Sequence, residues 1–191
     1  MLRQNDGDPF TQLSHSSLKN FTMETLMHAK PKSKVLKSWS EKMHPDMKPR
    51  IVTDTSAKWR RKFGEGKMLI ATPMLVDRLI REIPEGNLTT VNLIREKLAR
   101  DFSTDYTCPI TAGIFVWIVA NAAEEERRHH DYNISPYWRE IKDNGQLNPK
   151  YPGGEEHHAK LLRAEGYHIT KTKSGKHYLV NSFKDHLIQC D

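Results

Sequence analysis

Cysteine is nearly absent, with only Cys108 and Cys190 in 191 residues. Two thiols without metal or redox spacing exclude a disulfide scaffold and fit a reducing compartment. No apolar run approaches the ~20 residues that a membrane-spanning helix requires, so no membrane partner is expected. The first residues carry no apolar core, so no signal peptide is expected and a cytoplasmic setting follows. Acidic residues are also short: 24 against 30 Lys and Arg, a net charge of +6. A basic balance favours an anionic partner, most commonly nucleic acid, although it also serves solubility alone. With 37% hydrophobic and 28% charged residues, a packed core of modest size is feasible. The length suits one domain with an appendage, or two small domains.

Residues 1–67 read as a basic N-terminal arm or partly ordered segment, followed by a domain over 68–191. Between Lys30 and Lys67 cations far outnumber anions. Such a stretch can follow phosphates or serve as a solvated linker. Regular structure begins at Met68. Thr72 followed by Pro73 predicts a capped helix start. Leu75, Val76, Leu79, Ile80 and Ile83 then form one apolar face, and Pro84 stops the helix. Thr90 can cap a second helix with Val91, Ile94 and Leu98 inward. Pro109 opens a third, apolar nearly all round and therefore expected to be largely buried. Glu124–Asp131 reads as a solvated helix end and loop. Residues 155–165 predict a helix ended by Gly166. Residues 167–170 and 177–180 alternate around Lys173–Lys176, a β-hairpin signal. The expected fold is α/β but mostly helical, a winged helix-turn-helix-like domain with a C-terminal hairpin.

Pro136-Tyr137-Trp138-Arg139, Tyr151-Pro152-Gly153-Gly154 and Leu161-Leu162-Arg163-Ala164-Glu165-Gly166 follow one another in order. Their order and spacing resemble the active-site region of the O6-alkylguanine-DNA alkyltransferase family. That family has a Pro-Cys-His-Arg motif, a Tyr-Ser-Gly-Gly loop and a helix ending Leu-Leu-x-x-Glu-Gly. The Tyr137–Gly145 and Gly154–Glu165 intervals match, with one residue added before Tyr151. Thr72-Pro73 and the helix leading to Gly86 resemble the entry into the family's DNA-binding domain. The resemblance covers about residues 68–180, and the final hairpin is similar to the tail of the alkyltransferase-like branch, which lacks the cysteine.

The departures bear on chemistry. Alkyl transfer needs a low-pKa thiolate beside a base. Tyr137 stands at the cysteine position and Trp138 at the histidine position, and a phenol of pKa ~10 is a poor nucleophile at neutral pH. Cys108 lies outside the motif and reads as an inert, partly buried thiol. The resemblance therefore implies no catalytic residue and no cofactor. It implies non-catalytic DNA binding, with recognition of O6-alkylguanine for repair, DNA as partner and a repair protein as a further one. Ile110 or Thr111 stands where the family's stack-entering arginine belongs, and Val91 where its phosphate-rotating tyrosine belongs. The candidate DNA- or lesion-binding residues are Tyr137, Trp138, Arg139, Tyr151, Gly153, Gly154, Asn121 and Thr90.

Each candidate has a plainer reading. The aromatics can be ordinary core, Arg139 a brace for its loop, and Glu165 a partner for Arg139. The pairs His129-His130 and His157-His158 lack fixed ligand spacing, so no metal is expected. Lys171, Lys173 and Lys176 suit either a DNA-contacting wing or a solvated strand edge. The rival function is a degenerate alkyltransferase-fold module for protein interaction, its former DNA helix covered by the N-terminal segment.

Overall fold

The computed structural model describes residues 37–130 and 133–188. Lys30, Lys32 and Lys34 of the basic stretch, Asp131 of the charged run and Cys190 lie outside the described residues. Within the span expected as an arm, residues 37–67 hold α1 (Trp39–Lys42), β1 (Arg50–Val52) and α2 (Ala57–Phe63). Ser38 and Glu41 close a reciprocal capping box on α1, which satisfies two otherwise unpartnered amides. Ser56 caps α2 by accepting from the Trp59 N–H. β1 pairs antiparallel with β2 (Met68–Ile70).

α3 (Pro73–Arg81) begins as its sequence predicts, with Thr72 accepting from the Leu75 N–H and Pro73 in the first turn. Val76, Leu79 and Ile80 are its buried face. β3 (Thr89–Thr90) leads directly into α4 (Val91–Asp101), whose buried residues are Ile94, Leu98 and Ala99. β4 (Tyr106–Thr107) runs parallel to β2, and α5 (Pro109–Arg128) follows. α5 runs through most of the charged stretch expected as a helix end and loop. Its Ala112, Phe115, Val116, Val119 and Ala120 are buried, while Ile110, Ile114 and Trp117 remain exposed. The expectation of a largely buried helix therefore holds for only one side of it.

The chain next makes a 3-10 turn at Tyr137–Arg139 and enters β5 (Glu140–Ile141), which pairs parallel with β3. This pairing sets the turn beside the start of α4. α6 (Gly154–Ala164) precedes the antiparallel hairpin of β6 (Ile169–Lys171) and β7 (Tyr178–Val180), with Ile169 opposite Val180. Glu155 on α6 ties the hairpin down by accepting from the Tyr178 N–H at 2.9 Å and meeting His177 Nδ1 at 2.8 Å. The described residues thus form a mixed helix and strand fold with two buried clusters. One joins α3, α4 and α5 with Tyr137 and Tyr151. The other holds Leu88, Ile141, Leu147, Leu162 and Val180 between α6 and the hairpin. Trp138 packs against both. No helix among the described residues is long and apolar enough to cross a membrane.

Candidate functional site

The three motifs converge. The turn Tyr137–Arg139, the loop ending at Gly154 and the C-terminal end of α6 meet around the aromatic side chains. Tyr137 packs edge-on against Trp138 and Tyr151, at centroid distances of 5.6 and 5.3 Å. Tyr137 and Tyr151 are buried, and Trp138 is partly so. Edge-to-face geometry of this kind is favourable for aromatic rings.

Each polar end of these aromatics meets an acid. Tyr137 donates its hydroxyl to Glu124 Oε1 at 3.0 Å. Burial, and secondarily the Glu124 carboxylate, holds this phenol protonated well above its ordinary range. It is therefore a still poorer nucleophile than a free tyrosine. Tyr151 donates to Glu140, and burial followed by that same acid raises its phenol as well. Trp138 donates its indole N–H to Glu165 Oε1 at 2.7 Å.

Glu140 is buried, and desolvation pushes its carboxyl up to about 8, against the opposing hydrogen bonds from Tyr151 and the Val91 backbone. Arg139 reaches Glu165 through Nε, at 3.0 and 3.1 Å, and Nη2, at 2.8 Å. It also donates Nη1 to the Ile83 carbonyl at 2.6 Å. Arg139 thus clamps the turn to the ends of α6 and α3. Two charges so shielded bind firmly only because their hydrogen bonds are well aligned.

His158 is fully buried, with Nε2 2.8 Å from the Trp138 carbonyl and Nδ1 3.4 Å from the Asn148 amide. The Trp138 carbonyl accepts and the Asn148 amide donates, so the pair fits the neutral ring protonated at Nε2. Burial lowers its pKa to about 4. His157 points elsewhere, to Glu124 Oε1 at 3.2 Å. Glu124 is thereby a shared acceptor for Tyr137, Arg127 and His157. No group of three or more metal-ligating side chains occurs among the described residues.

The other candidates stand apart from this cluster in role. Thr90 is buried and caps α4, accepting from the Leu93 N–H at 3.3 Å. Asn121 donates Nδ2 to the Trp117 carbonyl one turn back, at 2.7 Å. Cys108 is buried at the start of α5 and gives it no side-chain cap. Gly153 adopts φ +73° at the head of α6, where an added Cβ would lie 2.6 Å from that of His157. Gly153 also borders an open groove of about 460 Å³ along α6, lined by Glu156, His157, Lys160 and Arg163. From sequence, Glu124 reads as solvated and His158 only as half of a histidine pair without ligand spacing, while Glu140 carries no signal of its own. Only the place of Glu140, directly after the Pro136–Arg139 motif, could have flagged any of them.

Fold and site together define a mixed helix and strand domain around a Pro-Tyr-Trp-Arg turn whose aromatic and cationic side chains are held by acids. No family model matches the chain, and no curated protein matches it. Among solved structures, it is similar to S. pombe Atl1 in complex with damaged DNA containing O6-carboxymethylguanine, at 22% identity and a TM-score of 0.44. It is also similar to S. pombe ATL in complex with DNA, at 22% identity and a TM-score of 0.45. Each alignment covers 61% of this chain and 94% of the other.

Proposed function

We propose that the chain is a non-catalytic DNA-binding protein, with recognition of O6-alkylguanine for repair as the finer form of that reading. The observation that carries it is Tyr137. At the position that the sequence resemblance gives to the transferring cysteine stands a buried phenol, hydrogen-bonded to Glu124 and raised in pKa. The surrounding motif residues nonetheless come together in space, as a shared ancestry with the alkyltransferases would require. In this reading residues 68–191 are a winged helix-turn-helix-like domain, with α4 and α5 as the helix pair and β6–β7 as the wing. Residues 1–67 add phosphate contacts. A damaged base would approach Trp138, the partly exposed member of the trio, from the side of Gly153, Gly154 and the Lys160–Arg163 groove. Tyr137, Tyr151 and Arg139 support that wall from behind, and Thr90 and Asn121 hold the neighbouring helices. The setting is cytoplasmic, and a repair protein is the expected second partner.

The test is a titration of two labelled duplexes, identical but for one O6-methylguanine. Flipping a damaged base costs less than flipping a paired one. With no arginine at Ile110 or Thr111 to fill the stack, the expected preference is about tenfold, or ~1.4 kcal/mol. Equal affinities would remove the lesion reading, and no binding at low salt would remove the DNA reading. Intact mass after incubation with O6-methylated duplex should show no methyl gain, and a stoichiometric adduct would overturn the non-catalytic assignment. The rival protein-interaction reading draws support from α5, where Trp39 of α1 packs on Trp117 with ring centroids 4.6 Å apart.

A further inference from the structure

Among the described residues, α5 carries an apolar side that is left largely exposed. Ile110, Ile114 and Trp117 recur at i, i+4 and i+7, with exposures of 52, 48 and 38%. Gly113 lies between them and has nothing within 4 Å of where a Cβ would be. The result is a shallow apolar stripe about 10 Å long, at 1.5 Å rise per residue. It offers neither a cation nor a hydrogen-bonding side chain to a base edge or a phosphate. The Trp117 indole N–H is already donated to the Lys150 carbonyl at 3.0 Å.

The surroundings of the stripe are cationic. Lys42 sits 3.6 Å above the Trp39 ring, which packs edge-on against Trp117. Lys150 follows from its carbonyl contact. At the other end, Trp59 of α2 donates to the Tyr106 hydroxyl at 3.2 Å, just before α5 begins. This ties α2, with exposed Lys58, Arg61 and Lys62, to the strand that leads into α5. None of these five cations has an ion pair among the described residues. The nearby acids are engaged: Glu41 accepts from the Ser38 N–H, Glu125 from the Ser40 N–H and hydroxyl, and Asp105 from the Lys67 N–H.

We propose that this face docks an acidic amphipathic helix of a partner protein. The partner's apolar residues at i, i+3 or i+4 and i+7 would lie along Ile110, Ile114 and Trp117, and its carboxylates would meet Lys42, Lys150 and the α2 cations. Apolar anchors give such a helix its affinity, and charge gives it orientation and rate. A second copy of this chain fits less well, because face-to-face pairing would bring the same cations together. Single-stranded nucleic acid fits less well because two of the three exposed residues are isoleucines, which offer no ring for a base to stack on. This inference deepens the protein-interaction reading by naming its face and its partner's chemistry, and it stands whether or not the chain binds DNA.

The test uses the full chain and a labelled helical peptide of about 15 residues, with leucines along one face and glutamates elsewhere. A scrambled peptide of the same composition is the control. The designed peptide should bind at least tenfold tighter than the scrambled one. Ile110→Ser with Ile114→Ser should abolish that difference while leaving the circular dichroism spectrum unchanged. Lys42→Glu with Lys150→Glu, which alters no core residue, should weaken the peptide severalfold. Equal binding of the two peptides would overturn the proposal, as would indifference to both variants. A sedimenting dimer dissolved by the serine variant would assign the face to a second copy. A tenfold loss of single- or double-stranded DNA binding in that variant would assign it to nucleic acid. Failure of the DNA reading shows separately, as absence of DNA binding by the wild type.

Discussion

Glu140 and His158 are both buried near Tyr151, and burial moves them in opposite directions. Glu140 rises from 4.5 to about 8, so the folded protein holds a proton there that the unfolded chain has released. Its contribution to stability is fully present below pH 4.5 and is lost as pH rises through 8. His158 falls from 6.5 to about 4, so its contribution is present above pH 6.5 and is lost as pH falls through 4. Between pH 4.5 and 6.5 the two slopes oppose each other and stability should be nearly level. From 6.5 to 8 His158 no longer opposes Glu140, and that acid should lower stability by roughly 1.4 kcal/mol per pH unit. Urea denaturation at several pH values reads this directly. Glu140→Gln keeps an acceptor for Tyr151 but no titration, and it should remove the fall above pH 6.5. If the variant declines as steeply as the wild type, Glu140 is not the buried acid described here. His158→Gln should instead remove the acid-side loss, since an amide can still donate to the Trp138 carbonyl and accept from the Asn148 amide.

At the scale of elements, the ion pair of Arg139 with Glu165 joins three pieces that are distant in sequence: the 3-10 turn, the end of α6 and the end of α3. Both side chains are shielded, at 13 and 10% exposure. Arg139→Ala would leave the Glu165 carboxylate without its charge partner, at a cost of about 3–5 kcal/mol. Arg139→Met with Glu165→Leu removes both charges and should recover much of that loss, because no charge is then left unpaired. Denaturation midpoints of the single and double variants measure the difference. If the double variant loses the sum of the two singles, the pair is not coupled as its geometry requires. The sequence already carried the motif order that places these residues together, and the Thr72-Pro73, Thr90 and Gly166 signals that bound three of the helices. It carried a helix end at Glu124–Asp131, but not that Glu124 there turns inward. Glu124 looks solvated by its neighbours and acquires an inward role only from Tyr137 and His157, both distant in the chain. β1, β3 and β5 are two or three residues long, too short for alternation to register. The Trp59–Phe63 spacing on α2 was a visible helical pair, but the cations around it dominate its composition.

Over the whole molecule, the exposed cations of α2 and the apolar stripe of α5 lie on different elements, so charge and apolar surface can be altered one at a time. α2 presents Lys58, Arg61 and Lys62 to solvent, while Arg60 is drawn toward Asp54 at 3.9 Å and Glu65 at 4.0 Å and donates to the Thr55 carbonyl. Each cation that contacts a phosphate releases a counterion and adds about 0.9 to the steepness with which log affinity falls against log salt. Lys58→Gln, Arg61→Gln and Lys62→Gln together should flatten that slope by as much as about 2.7. The loss should be the same for duplexes with and without O6-methylguanine, because phosphate contacts position the protein without reading bases. The isoleucine-to-serine variant of α5 should leave the slope unchanged, since no charge is altered. Affinity measured at several salt concentrations for each protein separates these outcomes. A triple variant with the wild-type slope would show that α2 does not lie along the DNA, and the phosphate contacts would then have to come from the α6 groove or the hairpin lysines. A loss confined to the lesion duplex would instead place α2 beside the damaged base.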